Sequence, residues 1–172
     1  TLGLSSDAVT VPSIQNIFRC KTKYVYLNNS DQSYNGVGAA AGDAPANTTA
    51  YQIKPVLPAY GSGTAKFFIG ALGLSEGTGL YGPTGTYTCV SRTYSSADIQ
   101  EHDGTAVAGT TNGLGIYSIG QFVVQKKGTV TDRTASTTLL NVDTIAPTTG
   151  SGATLAPNAD NWVSALKRFV YN

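Results

Sequence analysis

The single histidine of the chain, His102, is the first residue to consider for chemistry, and it lies in the sequence Glu101-His102-Asp103-Gly104. A Ser/His/Asp or Cys/His mechanism needs an imidazole that titrates near neutral pH, so any such centre must use His102. A metal site would combine His102 with Asp98, Glu101 or Asp103, and one imidazole with loop carboxylates binds metals weakly. The polar surroundings are typical of a solvated loop. The sequence therefore predicts no catalytic residue and no metal site, and a chain that is not an enzyme.

A glycine-rich segment, Gly77-Thr78-Gly79-Leu80-Tyr81-Gly82, matches the dinucleotide-binding fingerprint letter by letter. That fingerprint works only where a strand precedes it and a helix follows, because the helix N-terminus holds the pyrophosphate. Here Pro83-Thr84-Gly85 follows, and then a strand-like run. The sequence therefore predicts a turn-rich loop at this position and no cofactor.

Arg19, Lys21 and Lys23 form the most distinct charge cluster. At a spacing of two they would project from one face of a strand, and such a basic stripe can meet the phosphates of a nucleic acid or another polyanion. The alternative is a solvated strand face whose lysines prevent edge pairing. The formal net charge is only +1, which excludes a strongly basic nucleic-acid binder and favours the solvated face.

The two cysteines, Cys20 and Cys89, lie in alternating segments on the same face as aromatic residues. Inward-facing cysteines on two strands can meet, and closing a loop of about 70 residues stabilises a protein by about 4 kcal/mol in the chain-entropy model. The alternative is two buried thiols that act as small hydrophobic groups. Few charges and many threonines are typical of exported proteins, so we predict a disulfide between Cys20 and Cys89.

The composition describes a folded chain with a neutral polar surface. Charged residues make up 12% and hydrophobic residues 41% of the 172 residues. An average soluble protein has roughly 25% charged residues, and disorder requires few apolar groups with a high net charge. No apolar run is long enough to span a membrane. The chain contains no methionine and no signal peptide, which predicts a cleaved precursor or a trimmed chain.

The dominant pattern is an alternation of period two, which is typical of β-strands. Loops rich in Gly, Asn, Ser and Pro separate the alternating runs, and two of them are longer than a plain connection. We therefore predict an all-β fold, an antiparallel β-sandwich or jelly roll with long loops, as a single domain over residues 1–172. The predicted strands are residues 7–11, 18–27, 51–57, 64–72, 85–94, 115–125 and 137–145.

The two ends of the chain carry separate signals. Residues 1–12 are predicted to form an extended arm, because the alternation over residues 7–11 stands apart from the next strand. At the other end, apolar residues recur at i, i+3, i+4 and i+7, which predicts a short helix that leads into a final extended segment. The residues of this helical pattern are Trp162, Ala165, Leu166 and Phe169.

The chain ends in Phe169-Val170-Tyr171-Asn172, and a cysteine, Cys20, occurs early. A final strand with a penultimate tyrosine and an early cysteine resemble the chaperone–usher pilins, and the resemblance implies a filament subunit. Cys89 lies further along the chain than the second cysteine of that family. The helical pattern over residues 162–168 stands where the family has a strand, so membership is not predicted.

Low charge, abundant Thr, Gly and Ala, and the lack of a catalytic centre favour a structural subunit that buries large faces against copies of itself. We expect a self-assembling extracellular filament or particle shell, pilin-like or coat-protein-like, at a cell surface or in a virion. Strand exchange between copies would use Ala8, Val9, Thr10 and Val11. The alternatives are a jelly-roll viral capsid protein that packages nucleic acid through the basic cluster, and a lectin-like carbohydrate-binding module.

Overall fold

The computed structural model describes residues 13–140 and 146–158. The helices are α1 (Ile14–Phe18), α2 (Gly63–Ala71), α3 (Thr105–Ala108) and α4 (Ile119–Lys126), and short 3₁₀ turns occupy Ala41–Asp43 and Gly152–Thr154. The strands are β1 (Tyr24–Asn28), β2 (Tyr34–Gly38), β3 (Thr48–Gln52), β4 (Lys54–Pro55), β5 (Thr93–Tyr94), β6 (Ala97–Asp98), β7 (Gly113–Leu114), β8 (Thr148–Thr149) and β9 (Ala156–Pro157).

The prediction of an all-β sandwich or jelly roll is wrong. The described residues form one three-stranded antiparallel sheet, in the order β2-β1-β3, and three two-stranded sheets. β4 pairs with β7 in parallel, whereas β5–β6 and β8–β9 are antiparallel. Neither a sandwich nor a closed barrel occurs in this part of the chain, and helices supply much of the buried core.

The predicted strand over residues 64–72 is helix α2 instead. The Oγ atom of Ser62 accepts a hydrogen bond from the backbone N–H of Ala65 at 3.1 Å, which is a standard helix N-cap. Ala65, Phe68, Ile69 and Leu72 are all buried, and their spacing of i, i+3, i+4 and i+7 gives one apolar helix face. Residues 67–69 are apolar and fit a strand as well as a helix, and packing of this face into the core selects the helix.

The predicted strand over residues 115–125 is largely helix α4. Ile119, Phe122 and Val123 are buried at the spacing i, i+3 and i+4. Isoleucine, phenylalanine and valine favour strands when they are considered one by one. Packing of one helix face against the core outweighs that preference, because tertiary contacts override weak intrinsic propensities.

The remaining strand predictions hold only in part. Residues 18–27 divide into the end of α1, a turn and β1, and residues 51–57 contain the end of β3 and the short β4. Of residues 85–94 only Thr93 and Tyr94 are in a strand, and residues 137–140 are not in one. The predicted arm over residues 1–12, the C-terminal helix and residues 141–145 lie outside the described residues.

The main hydrophobic core lies between α1, α2, α4 and the irregular segment that follows α2. The rings of Phe18 in α1 and Phe68 in α2 meet edge to face with their centroids 4.7 Å apart. Both residues are almost completely buried, so each removes a large apolar surface from water. A smaller cluster of Val56, Ile99 and Ala106 packs beside β4.

A disulfide between Cys20 and Cys89 joins the end of α1 to the segment after α2. The N–H of Lys21 donates to the carbonyl of Asn16 at 2.9 Å and that of Cys20 donates to Ile17 at 3.0 Å, as in a Schellman C-cap. Cys20 therefore has a φ of +58°, a conformation that usually falls to glycine. Neither cysteine lies in a strand, so the pairing arises from a helix-ending turn and a loop.

We expect the double variant Cys20→Ala/Cys89→Ala to unfold with a free energy lower by about 4 kcal/mol, because the unfolded chain is no longer constrained by the closed loop. Urea unfolding followed by circular dichroism measures the change. A reducing agent should destabilise the unmodified protein by a similar amount and leave the double variant unaffected. Two free thiols in the unmodified protein under non-reducing mass mapping would contradict the bond.

Candidate ligand-binding cleft

The parallel pair of β4 and β7 places the N-termini of α2 and α4, the helices that follow these strands, on the same side of the core. In the segment that contains β4, the N–H of Val56 donates to the carbonyl of Leu114 at 2.8 Å. The N–H of Leu57 donates to the carbonyl of Ser91, also at 2.8 Å. It therefore lies between β7 and residue 91, and its carboxyl end continues through a turn into α2. β7 likewise continues through residues 115–118 into α4. Crevices at the carboxyl ends of parallel strands are where open α/β sheets bind ligands.

The carboxylate of Glu101 lies at the start of α2. Its Oε2 atom accepts a hydrogen bond from the hydroxyl of Ser62 and another from the N–H of Thr64 at 3.2 Å. The hydrogen bond from Ser62 is the main cause that lowers the pKa of Glu101 below its usual 4.5. Negative charge at a helix N-terminus is also favourable, because the first N–H groups of a helix have no partners within it.

The backbone of residues 101 and 102 is held by α4 and the segment before it. The carbonyl of Glu101 accepts the N–H of Ser118, the N-cap residue of α4, at 2.9 Å. The carbonyl of His102 lies 2.6 Å from the hydroxyl of Tyr117 and accepts the side-chain amide of Gln125 at 2.9 Å. Tyr117 and Gln125 are buried, and burial raises the pKa of Tyr117 to about 12, which keeps its hydroxyl protonated as a donor. The loop is therefore rigidly positioned.

The turn before α2 and this loop enclose a cleft of about 430 Å³. Residues 59–63 form one wall and residues 98–102 form the other. The lining is mainly polar and includes the carboxyl-bearing Asp98 and Glu101, the amide of Gln100, and His102. Neither lysine nor arginine lines this cleft among the described residues.

The ring of Tyr60, which lines the cleft, is in contact with the guanidinium group of a buried arginine. The guanidinium carbon of Arg92 lies 4.2 Å from the centroid of the Tyr60 ring, and Arg92 is only 7% exposed. Arg92 donates to the carbonyl of Pro58 at 2.7 Å and to both carboxylate oxygens of Glu76, at 3.1 and 2.9 Å. One face of the Tyr60 ring is therefore covered, while the residue as a whole is 39% exposed.

This arrangement offers a fixed aromatic ring beside hydrogen-bonding groups of both kinds. A tyrosine ring presents a negative π face to a ligand and loses little conformational entropy on binding. Carboxylates accept hydrogen bonds, whereas amides both accept and donate them. Within residues 13–140 and 146–158 the structure contains no group of three His, Cys, Asp or Glu side chains that could hold a metal ion.

The sequence-predicted site residues lie in different places. His102 lines the cleft, but the structure uses its carbonyl rather than its imidazole to fix the loop. Arg19 and Lys21 lie in the turn after α1 and Lys23 just before β1, so the predicted stripe on a single strand face is wrong. Contact of these three residues with nucleic acid stays a prediction. Residues 8–11, predicted to exchange between copies, lie outside the described residues.

Sequence reasoning missed Tyr60, Ser62, Arg92 and Gln125. Ser62 was detectable, because a serine just before a run of apolar residues at helical spacing is an N-cap signal. The partnership of Arg92 with Tyr60 and Glu76 was not detectable, because these residues are far apart in the chain and no pattern links them.

No protein-family model, curated protein or solved structure matches this chain. In the part of the chain that the structure describes, no helix has the length and apolar character needed to cross a membrane.

We expect Glu101→Gln to lower the free energy of unfolding at pH 7 by about 1–2 kcal/mol, because a charged hydrogen-bond acceptor at the start of α2 is replaced by a neutral one. The pKa of Glu101 is lower in the folded state than in the unfolded state, so its carboxylate stabilises the fold when the pH is above the unfolded pKa. This contribution is lost as the pH falls through the folded pKa. The stability of the unmodified protein should therefore fall below about pH 4.5 more steeply than that of the variant.

Chemical unfolding at a series of pH values between 7 and about 3 tests this expectation. Asp98→Asn is the matched control, because it removes a carboxylate from the same loop without touching α2. An acid profile that Glu101→Gln leaves unchanged would show that this carboxylate does not stabilise the helix.

Proposed function

We propose that this protein is a non-catalytic binding module for a small, neutral, hydroxyl-rich ligand of the sugar class. The observation that carries the proposal is the combination of a fixed, half-open tyrosine ring with a polar wall in one cleft of about 430 Å³. A cleft of this size is within the range of small-molecule sites. The carbohydrate-binding alternative from the sequence is thus preferred to the particle shell, which depended on a jelly roll.

Tyr60 offers an aromatic surface on which a sugar ring can stack. The C–H groups on one face of a sugar ring carry partial positive charge and pack on the negative face of an aromatic ring. Arg92 holds the Tyr60 ring from the other side and is itself fixed by Glu76, so the ring needs no ordering when a ligand arrives. Preorganisation of this kind reduces the entropic cost of binding.

The charges that line the cleft favour a neutral ligand over an anionic one. Asp98 and Glu101 are acidic and no basic lysine or arginine lines the described cleft, so an anionic ligand would be repelled. Ligand hydroxyls, in contrast, can donate hydrogen bonds to carboxylates, and such charge-assisted bonds are strong. The wall therefore favours neutral ligands with many hydroxyl groups.

A second candidate function is the structural subunit predicted from the sequence, which assembles with copies of itself outside the cell. The observation that favours it is the β2-β1-β3 sheet, whose strands contain no charged residue and whose exposed Tyr34 is 54% accessible. An uncharged sheet with open edges can pair with another chain. The disulfide supports an extracellular or cell-surface location, because such bonds persist in oxidising compartments.

We expect Tyr60→Ala to weaken binding of a neutral monosaccharide by about two- to tenfold, because it removes the stacking surface, which contributes on the order of 0.5–1.5 kcal/mol. Titration of ¹⁵N-labelled protein with a panel of neutral monosaccharides, followed by amide chemical shifts, measures both affinity and location. Shifts should concentrate in residues 59–63 and 98–102.

Tyr34→Ala is the matched control, since it removes an exposed tyrosine of β2 that does not line the cleft, and it should leave the affinity unchanged. Inorganic phosphate provides the comparison ligand. Shifts in the cleft with phosphate alone would overturn the choice of a neutral ligand. No saturable shift in the cleft with any member of the panel would overturn the proposal itself.

A further inference from the structure

The β2-β1-β3 sheet is set apart from the rest of the fold. None of its fifteen strand residues belongs to the buried members of either hydrophobic cluster, and only Tyr26, Val37 and Gly38 in it are buried. Apolar side chains such as Val25, Leu27 and Tyr51 are only partly covered. Val25 and Leu27 are two residues apart on β1 and Tyr51 lies opposite Val25, so these side chains share one face of the sheet. Partly covered apolar residues on one sheet face are typical of a surface that packs against something else.

The register of β3 shows which of its backbone groups point outward. The N–H of Asn29 donates to the carbonyl of Asn47 at 3.0 Å, and the N–H of Ile53 donates to the carbonyl of Lys23 at 2.8 Å. The pairs 29/47 and 23/53 are therefore hydrogen-bonded pairs that continue the β1–β3 ladder. Hydrogen-bonded and non-hydrogen-bonded pairs alternate along an antiparallel ladder. The backbone N–H and C=O groups of Thr48, Ala50 and Gln52 therefore point away from β1, and no hydrogen bond to them occurs among the described residues.

The edge of β3 is better suited to pairing than the edge of β2. β2 has an irregular register between Tyr26 and Leu27 of its partner strand, and its Gly36 has a φ of +136°. Bulges and twisted edges hinder the addition of another strand. β3 has an uninterrupted register with β1 and contains no proline, glycine or charged residue.

We propose that the outer edge of β3 pairs antiparallel with the same edge of a second copy of this chain, about a two-fold axis at Ala50. The arrangement places Ala50 opposite Ala50, and Thr48 opposite Gln52 on each side. Each of these three pairs exchanges two backbone hydrogen bonds, about six in total. The sheet then continues across both copies with β3 strands at its centre.

The lack of charge on the outer edge of β3 favours a second copy of this chain as its binding partner. A two-fold axis brings identical groups together, so any charge on the edge would face its own kind. Thr48–Gln52 carries no charge, so two copies of this edge meet without like-charge repulsion. This inference rests on the assembly candidate above and names its surface.

The test is analytical ultracentrifugation of the whole protein over a range of concentrations. The unmodified protein should show a monomer–dimer equilibrium, and Ala50→Pro should raise the dissociation constant by at least about tenfold, because proline removes the outward N–H at the axis. That N–H makes no bond within the subunit, and prolines are tolerated at such positions of edge strands. Ala50→Val, which keeps the N–H, is the matched control and should dimerise normally.

Cross-linking provides a second readout that does not depend on the proline variant folding. Opposed Cα atoms of a hydrogen-bonded antiparallel pair are about 5.5 Å apart. A short bismaleimide should therefore link Ala50→Cys subunits at a concentration where Tyr34→Cys subunits on β2 remain unlinked.

The outcomes separate the two ideas. Dimers or larger assemblies that persist in Ala50→Pro, or that cross-link through Tyr34→Cys instead, would overturn the β3 pairing while leaving assembly intact. A monomer at every concentration would overturn both the pairing and the assembly candidate. Neither result bears on the ligand cleft, which is tested by titration.

Discussion

The hydrogen bonds around Glu101 and His102 hold the two longest described helices in one arrangement. The carboxylate of Glu101 caps α2, the carbonyl of the same residue accepts the N-cap amide of α4, and the carbonyl of His102 is held by Tyr117 and Gln125. Each interaction satisfies a polar group that would otherwise lose its hydrogen bond on burial, and an unsatisfied group costs about 1–3 kcal/mol. The position of the helices, the shape of the cleft and the order of its polar wall all depend on this loop.

The two candidate functions occupy different parts of the molecule for a physical reason. The cleft lies where buried arginine, tyrosine and glutamine side chains fix the surrounding backbone, so its groups are preorganised for a small ligand. The three-stranded sheet lies outside the hydrophobic clusters, and no described strand pairs with the outer edge of β3, so the interaction this sheet offers is backbone pairing. A binding module that associates through its sheet would use both surfaces without conflict.

The sequence patterns located β1, where alternation coincides with antiparallel pairing, but only the last two residues of β3. The same patterns failed at α2 and α4. Phe68, Ile69, Phe122 and Val123 favour strands by intrinsic propensity, so the sequence pattern did not separate a helix from a strand at these positions. The helical spacing of those residues was present, yet only contact with the common core made it decisive. The basic cluster was misplaced for a related reason, since the helix-ending turn at Cys20 interrupts the alternation that placed Arg19, Lys21 and Lys23 on one face.

The sequence by itself determined the low charge, the abundance of neutral polar residues and an apolar content sufficient to fold. These properties follow from composition, which does not depend on which residues meet. Only the tertiary structure decided that Arg92 supports Tyr60, that Glu101 caps α2, and that Cys20 reaches Cys89 from a turn rather than a strand. These contacts join residues that are far apart in the chain. Tyr60 and Arg92 are separated by 32 positions, Thr64 and Glu101 by 37, and Cys20 and Cys89 by 69. Local periodicity reports which face of an element is buried, whereas the partner of that face is set by the packing of the whole chain.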